Sequence, residues 1–261
     1  MRAALARNAR RALRLPLLLV HITIGVAIAT ALPHPRRAVA SPRASLIWNR
    51  VLCRILGLRV RVRGVSHRRA TLFVANHISW LDIVCIASVC PTFFLAKREV
   101  RDWPVCGWLA WRAGTLFIRR GEPNAAAEAS AQIAWRLRRG SSVLIFPEGT
   151  STAGHGVKHF YPRLFQAALY TGSPVQPAAL RYPHPVGVNP VAPFIDDDNL
   201  LRHAWRLLGE RCVPVEVHFG CVVESAGHSR DALAAITRGQ IAAVIATAAV
   251  EQETKTATAW S

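Results

Sequence analysis

The chain has 261 residues and a formal net charge of +18, from 33 basic and 15 acidic side chains. This length suits one ordinary domain with a sizeable core and leaves few residues for a second. Its six cysteines form no Cys-x-x-Cys pair, which argues against a zinc site and against the disulfide framework of a small secreted protein. The positive charge predicts attraction to anionic partners, which include nucleic acids, acidic lipid headgroups and phosphorylated substrates.

The first predicted element is an apolar segment that follows a run of arginines. Residues 15–32 contain no charged side chain and are just long enough to span a bilayer. A signal peptide is the alternative, because residues 38–40 (Ala-Val-Ala) resemble a cleavage site. Arg36 and Arg37 stand where such a site prefers neutral residues, so we expect the segment to be retained.

A second apolar stretch, residues 45–58, contains Arg50 and Arg54 and has one broad apolar face, which predicts an interfacial helix. We expect the two stretches to form a helical hairpin that dips into one leaflet, with arginines at the headgroups. This topology keeps the catalytic domain on the cytosolic side of the inner membrane, whereas a full span with the N-terminus inside would export it. We therefore assign residues 1–60 to a membrane-associating part and residues 61–261 to the catalytic domain.

Beyond residue 60, short apolar runs alternate with helical stretches, which predicts an α/β fold with a sheet flanked by helices. The predicted strands are 71–75, 92–96, 115–119, 142–146, 175–180 and 213–223. The predicted helices are 79–89, 100–111, 123–138, 162–170, 199–210 and 229–250. Asp196, Asp197 and Asp198 precede the fifth of these helices, and we interpret them as a solvated helix-start cluster rather than a metal site.

His77 and Asp82 form the first candidate site. His77 follows directly on the first predicted strand, and Asp82 lies in the first turns of the next helix. With His77 in the turn, the two side chains can meet. The carboxylate then accepts the Nδ1 proton, and Nε2 can take a proton from a substrate hydroxyl. A histidine and an aspartate at this spacing also arise by chance, so a structural or surface histidine is the alternative.

Two further strand ends carry candidate binding groups. Arg119 and Arg120 come at the end of the third predicted strand, where paired guanidinium groups can clamp a phosphate. Solvated charges that cap a strand end are the alternative. Pro147 and Gly149 bracket Glu148 in a tight turn that can present a carboxylate and backbone N–H groups. Taken alone, this second pattern is an ordinary turn.

Together these segments resemble the glycerophospholipid acyltransferase family, which includes 1-acylglycerol-3-phosphate acyltransferases and lyso-ornithine lipid acyltransferases. Four sequence blocks between Leu72 and Leu180 carry the resemblance, in the family's order. They are NHISWLD (76–82), GTLFIRR (114–120), FPEGT (146–150) and VQPA (175–178). The resemblance implies a glycerophosphate-acyltransferase-like sheet. It also implies an O-acyltransferase that carries an acyl group from acyl carrier protein (acyl-ACP) or acyl-coenzyme A (acyl-CoA) to the free hydroxyl of a lysolipid.

The family's motifs imply roles for the matching residues. His77 is the implied general base and Asp82 its orienting partner, without a covalent acyl-enzyme, while Lys97 is implied to stabilise the oxyanion. The implied acceptor-binding residues are Asn76, Ser79, Arg119, Arg120, Glu148, Gly149 and Thr150. The resemblance implies no metal and no other cofactor.

One position departs from the family's pattern. Many lysophosphatidate enzymes place an arginine directly after the third block, where this chain has Ser151. The substitution puts one phosphate contact in doubt. We expect lysophosphatidic acid as the acceptor, which makes phosphatidic acid, and keep lyso-ornithine lipid or another lysophospholipid as the alternative.

Two rival classes of protein explain less of the sequence than an acyltransferase does. A nucleic-acid-binding protein would explain the charge, but the chain lacks zinc spacing, an RNP-type aromatic motif and a basic helix separate from apolar sequence. A non-catalytic membrane scaffold would leave the spacing of His77 and Asp82 without a purpose. The expected partners are therefore a lysolipid acceptor, an acidic acyl donor and membrane lipids, with no nucleic acid.

Overall fold

The computed structural model describes residues 1–31, 42–119, 121–185, 189–195 and 198–258. The expected cleavage motif at 38–40, Arg120, Asp196 and Asp197 lie outside these ranges. The α-helices are α1 (Arg2–Ala31), α2 (Pro42–Leu56), α3 (Leu81–Ala87), α4 (Cys106–Arg112), α5 (Ala125–Arg138), α6 (Gln166–Thr171), α7 (Leu200–Gly209) and α8 (Arg230–Thr258). The strands are β1 (Leu58–Arg63), β2 (Leu72–Ala75), β3 (Phe93–Lys97), β4 (Leu116–Ile118), β5 (Val143–Ile145), β6 (Val175–Arg181) and β7 (Val213–Phe219).

These strands form a seven-stranded mixed sheet in the order β1-β7-β6-β2-β5-β3-β4. Neighbouring strands are parallel except β6 and β7, which are antiparallel. The central strands β2 and β5 are buried along their whole length, as expected for parallel strands that are covered on both faces. Since β2, β3, β4, β5 and β6 run in one direction, their carboxyl ends share one edge of the sheet. This confirms the predicted α/β class.

Helices cover both faces of the sheet and create two hydrophobic layers. One layer packs α2, α3 and α7 against the sheet, and includes the buried side chains of Leu56, Leu81 and Leu207. The opposite layer packs α5, α6 and α8, and includes Ile133 and Leu233. The sheet therefore has no broad open face at its centre, and the groups available for chemistry lie at the carboxyl edge.

The two N-terminal helices pack against each other. Among the described helices, α1 is the one with the length and apolar composition to cross a membrane. The ring of Trp48 in α2 stacks on His21 in α1 with 3.6 Å between ring centroids. Trp48 also packs so closely on Gly25 that a Cβ atom there would lie 2.7 Å from the indole ring. The predicted pairing of the two segments is present, while residues 32–41 between them lie outside the described ranges.

The arginines that precede the apolar segment contact the catalytic part of the chain. The side chain of Arg10 donates to the carbonyl of Gly209 at 2.7 Å, and that of Arg14 donates to the carbonyl of Glu210 at 2.6 Å. These carbonyls lie at the end of α7, where a helix leaves acceptors without internal partners and favours cations. We expected arginines at lipid headgroups, but these two instead hold α1 against α7.

Several elements differ from the predictions, and the following differences are the largest. The helix expected at 100–111 is divided into a 3-10 helix (Arg98–Asp102) and α4, because Pro104 between them has no N–H to continue a helix. Strand β1 was not predicted and lies across the expected domain boundary. Strand β7 ends at Phe219, and Val223 instead forms an isolated bridge with Val175.

Candidate active site

The strand register brings the first and third sequence blocks together. His77 follows β2 and Glu148 follows β5, and the two strands are adjacent and parallel. Leu72 of β2 pairs with Val143 of β5, and His77 and Glu148 follow these two residues at the same spacing along their strands. The backbone N–H of His77 donates to Glu148 Oε1 at 2.8 Å, so these two blocks meet directly at the carboxyl edge.

His77 and Asp82 form a hydrogen-bonded pair. His77 Nδ1 lies 2.8 Å from Asp82 Oδ2, and His77 occupies the turn before α3, as the pairing requires. The carboxylate is fully buried, whereas the imidazole side chain is 22% exposed. A carboxylate at Nδ1 holds the proton on that nitrogen and leaves the lone pair on Nε2. The pair can therefore act as a general base toward a group that approaches from solvent or membrane.

Donors surround the Asp82 carboxylate. Oδ2 also accepts from the backbone N–H of Ile78 at 2.6 Å and of Ser79 at 2.9 Å. Oδ1 accepts from the hydroxyl of Tyr182 at 2.6 Å. Such a set of donors satisfies both carboxylate oxygens and holds the group in the position from which it contacts the histidine.

Glu148 holds the backbone around His77 in place. Its Oε2 accepts from the backbone N–H of Lys158 at 3.0 Å, in addition to the His77 contact on Oε1. Burial raises the pKa of the Glu148 carboxyl, while these two backbone N–H groups act in the opposite direction. The His77 ring also stacks on Phe146, with 4.0 Å between ring centroids. The third block therefore fixes the position of the histidine from two sides.

Two residues of the first block are buried beneath the edge. The Asn76 amide donates to the carbonyl of Leu180 at 3.0 Å and accepts from its N–H at 2.8 Å, which ties β2 to β6. Ser79 is fully buried, and its Oγ has no hydrogen-bond partner among the described residues. Their assignment as acceptor-binding residues stays a prediction, and for Asn76 the structure gives a second use of the side chain.

The turn after Glu148 leads to a loop that contacts the backbone of His77. Gly149 has φ = +73°, a left-handed conformation that favours glycine, and Thr150 next to it is exposed. Ser151 Oγ donates to the carbonyl of Phe194 at 2.6 Å. The backbone N–H of Thr152 donates to the carbonyl of His77 at 2.9 Å. The position that departs from the family's pattern is thus used to anchor residues 189–195.

A buried histidine links α7 to the site. Trp80 Nε1 can only donate, and it lies 2.8 Å from His203 Nδ1, so Nδ1 is the acceptor. The proton of His203 is then on Nε2, which lies 2.8 Å from the carbonyl of Val191. Burial is the main cause that lowers the pKa of His203, in agreement with a neutral ring. The sequence did not predict this contact or the contact of Tyr182 with Asp82. For Tyr182, the position directly after a strand end is the one local feature that could have indicated a role at the site.

The predicted cationic groups lie further along the same edge. Lys97 is exposed at the end of β3, and Arg119 follows β4, with its side chain 3.6 Å from Glu122. At about 4.8 Å between strands, the three strand spacings from β2 to β4 amount to roughly 14 Å. A cavity of about 450 Å³ runs along β4. Its charged lining residues are Arg98, Arg101, Arg119, Glu122 and Glu128.

Comparison with known proteins agrees with this arrangement. Residues 59–181 match the family model described as acyltransferase. Lyso-ornithine lipid O-acyltransferase from Pseudomonas aeruginosa is 48% identical over 165 residues, which are 63% of this chain and 64% of that protein. 1-Acyl-sn-glycerol-3-phosphate acyltransferase from Neisseria gonorrhoeae is 35% identical over 192 residues, 73% of this chain and 75% of that protein.

The fold has a solved counterpart. The crystal structure of the 1-acyl-sn-glycerophosphate acyltransferase from Thermotoga maritima superposes with a TM-score of 0.68 and covers 94% of this chain and 97% of that one. At 20% identity this likeness establishes the fold. The family model over residues 59–181 and the relative of 35% identity show an acyltransferase domain. The chain belongs to this acyltransferase family. The two relatives are named for different acceptors, lyso-ornithine lipid and 1-acyl-sn-glycerol-3-phosphate.

Proposed function

We propose that the chain transfers a fatty acyl group from a thioester donor to the free hydroxyl of a lysolipid, at the cytosolic face of the inner membrane. The observation that carries this proposal is the His77–Asp82 pair, with its buried carboxylate and partly exposed imidazole. Family membership and the apolar helix α1 support the lipid class of acceptor and the membrane setting.

The geometry supports direct transfer with His77 as the general base. The lysolipid oxygen attacks the thioester carbonyl carbon while its proton moves to His77 Nε2. The tetrahedral intermediate then collapses, the C–S bond breaks, and the proton passes from Nε2 to the departing sulfur. Cys85 lies close to Asp82, but burial raises the pKa of its thiol well above the ordinary value, which makes it a poor nucleophile. A covalent acyl-enzyme on this cysteine is therefore disfavoured.

Either acyl-ACP or acyl-CoA suits the proposed donor role, because both are acidic and the chain has a net charge of +18. Lys97 at the end of β3 is the proposed oxyanion-stabilising cation, since it is exposed at the edge shared with His77. In the proposed hairpin, α1 enters and α2 leaves the membrane on the same side, which keeps the catalytic domain on the cytosolic side.

For the acceptor we propose a zwitterionic lysolipid, with lyso-ornithine lipid ahead of lysophosphatidic acid. The cavity along β4 combines three arginines with two glutamates, so it offers partners for both a carboxylate and an ammonium group. Ser151 supplies no cation, and its hydroxyl is turned toward Phe194. Lysophosphatidic acid is the second candidate, because Arg119 can bind a phosphate and a relative with that activity in its name is 35% identical.

A panel assay tests this choice. Detergent-solubilised protein receives one labelled acyl thioester with lyso-ornithine lipid or lysophosphatidic acid, and kcat/KM is measured for each acceptor. We expect kcat/KM to favour lyso-ornithine lipid, and Glu128→Gln to reduce that preference by weakening the contact with the ammonium group. Glu224→Gln is the control, because this exposed carboxylate is not among the residues lining the cavity. Preference for lysophosphatidic acid that Glu128→Gln leaves unchanged would reject the zwitterionic acceptor.

A further inference from the structure

The two oxygens of the Asp82 carboxylate have different kinds of partner. Oδ2 contacts His77 Nδ1 and the backbone N–H groups of Ile78 and Ser79, which all belong to the turn before α3. Oδ1 accepts from Tyr182, which follows β6 and is 100 residues away in the chain. One oxygen is thus held locally, while the other is tied to a different part of the sheet.

Tyr182 is built to act as a donor to this carboxylate. Its side chain is buried, and its hydroxyl lies 2.6 Å from Asp82 Oδ1. Burial first, and then the charge of Asp82, raise the pKa of Tyr182 well above the ordinary value for tyrosine, so the hydroxyl keeps its proton. A protonated phenol next to an ionised carboxylate donates the hydrogen bond.

This contact bears on how well Asp82 orients the histidine. A carboxylate rotates about its Cβ–Cγ bond in a broad, two-fold potential, so the donors on its two oxygens together define the plane of the group. A second contact on Oδ1, from a rigid strand end, fixes that plane. The direction in which Oδ2 faces His77 Nδ1 then becomes fixed as well, and with it the direction of Nε2.

We propose that Tyr182 is a positioning residue for acyl transfer, which acts through Asp82 on the orientation of His77. The proposal rests on the proposed function of His77 as the general base. It assigns a role to a residue outside the four sequence blocks. It also gives β6, which the fourth block begins, a direct connection to the catalytic pair.

Kinetics of Tyr182→Phe give the first test, because this change removes the hydroxyl and keeps the ring. We expect kcat to fall about tenfold, the effect of losing one hydrogen bond to a charged group, with KM changed less than about twofold. Tyr170→Phe is the matched control, since Tyr170 is 58% exposed on α6, and we expect it to behave as the wild type. Equal kcat values in the Tyr182→Phe and Tyr170→Phe proteins would overturn the proposal.

A spectroscopic test works without any acyl transfer. The Nδ1–H proton of a histidine that donates to a carboxylate has a far-downfield NMR resonance, and the signal of His77 is assigned by its loss in His77→Gln. We expect Tyr182→Phe to shift or broaden this signal and Tyr170→Phe to leave it in place. An unchanged signal would show that Tyr182 does not orient the pair, whatever reaction the protein catalyses. Absence of acyl transfer by the wild type together with a shifted signal would instead refute only the proposed function.

A second substitution covers the case in which Tyr182→Phe fails to fold. Expression of the protein in medium that contains 3-fluorotyrosine replaces all three tyrosines with the fluorinated residue. Each side chain keeps its ring, and each phenol becomes a stronger hydrogen-bond donor. The His77 signal should move in this protein, because Tyr182 is the tyrosine in contact with Asp82. A signal identical to that of the unlabelled protein would overturn the proposal.

Discussion

At the scale of single residues, the imidazole of His77 is the proposed general base, which would accept a proton from the acceptor hydroxyl. We expect His77→Ala to reduce kcat by a factor on the order of 10² to 10⁴, the usual contribution of a general base, with little change in thermal stability. His228→Ala is the control, since His228 is exposed and far along the chain from the pair. Measurement of kcat and of the melting temperature decides the point. Retained turnover in His77→Ala would end the general-base assignment.

The raised pKa of Tyr182 has a consequence in alkaline solution. A folded-state pKa above the unfolded value means that the folded protein keeps this proton while the unfolded chain releases it near pH 10. Tyr182 should therefore contribute little to the tyrosinate absorbance at 295 nm over the pH range around 10, where an ordinary tyrosine ionises. We expect the wild type and Tyr182→Phe to give the same absorbance change over this range in the folded state. A smaller change in the variant would mean that Tyr182 ionises and is less enclosed.

Asn76 belongs to the first sequence block, and its side chain also stabilises the fold. Asn76→Ala leaves the N–H and the carbonyl of Leu180 without the amide partner in a buried position. We expect a loss of about 2 kcal/mol or more in the free energy of unfolding, measured by denaturant titration. Asn49→Ala removes an amide whose contacts stay within its own helix, at Ser45, and should cost under about 1 kcal/mol. Equal losses in the two variants would refute the role of Asn76 as a tie between strands.

The sequence predicts these residues unequally, for a physical reason. His77, Asp82 and Glu148 follow strands that the apolar pattern reveals, and they are close to one another in space because parallel strands end at one edge. Tyr182 and His203 act through partners 100 and 123 residues away. The Tyr182 contact requires β6 to lie beside β2, and the His203 contact requires α7 to pack beside the start of α3, and no local pattern in the sequence predicts either placement.

At the scale of elements, close contact between α1 and α2 depends on a glycine. Replacing a helical glycine with alanine normally stabilises a protein by up to about 1 kcal/mol. Gly239→Ala in α8 should show this gain, because the new Cβ has no atom within 4 Å apart from its chain neighbours and the nearby backbone of its own helix. Gly25→Ala places a Cβ 2.7 Å from Trp48, whose ring is already stacked on His21. We expect the melting temperature in detergent to rise for Gly239→Ala and to fall for Gly25→Ala. A rise for both would show that α1 and α2 are not packed in this way.

The sequence predicts helices and strands correctly where the apolar pattern matches the buried positions. It fails where charged side chains interrupt that pattern. β2 and β5 are short apolar runs covered on both faces, and both were predicted. β1 has the sequence LRVRVR, in which exposed arginines alternate with apolar residues, so hydrophobicity alone gave a weak signal. The strand forms because Leu58 is buried and Val60 packs partly against the core, while its backbone pairs with β7.

At the scale of the whole molecule, positive charge and apolar surface occur together in the N-terminal helices. Part of the charge is used internally, since Arg10 and Arg14 contact carbonyls at the end of α7. The apolar side of α1 is instead left uncovered, with large side chains exposed at Leu17, Leu19, Val20, Ile24 and Ile28. Salt weakens electrostatic attraction, and it does not weaken the burial of apolar surface. The electrostatic and the apolar contributions to the proposed membrane binding can therefore be separated by varying the salt concentration.

The separation gives a prediction for the intact chain. We expect binding to vesicles of zwitterionic lipid to persist in 1 M salt, where the screening length is about 3 Å, because burial of the apolar side of α1 remains favourable. Anionic lipid should strengthen binding only at low salt, and double-stranded DNA should not displace the protein from the vesicles. Sedimentation with vesicles measures both effects. A nucleic-acid-binding protein would instead be released from lipid by salt and by DNA, and its affinity for DNA would fall steeply with salt. Release of that kind would contradict the apolar contact of α1 with the membrane and restore the rival explanation of the charge.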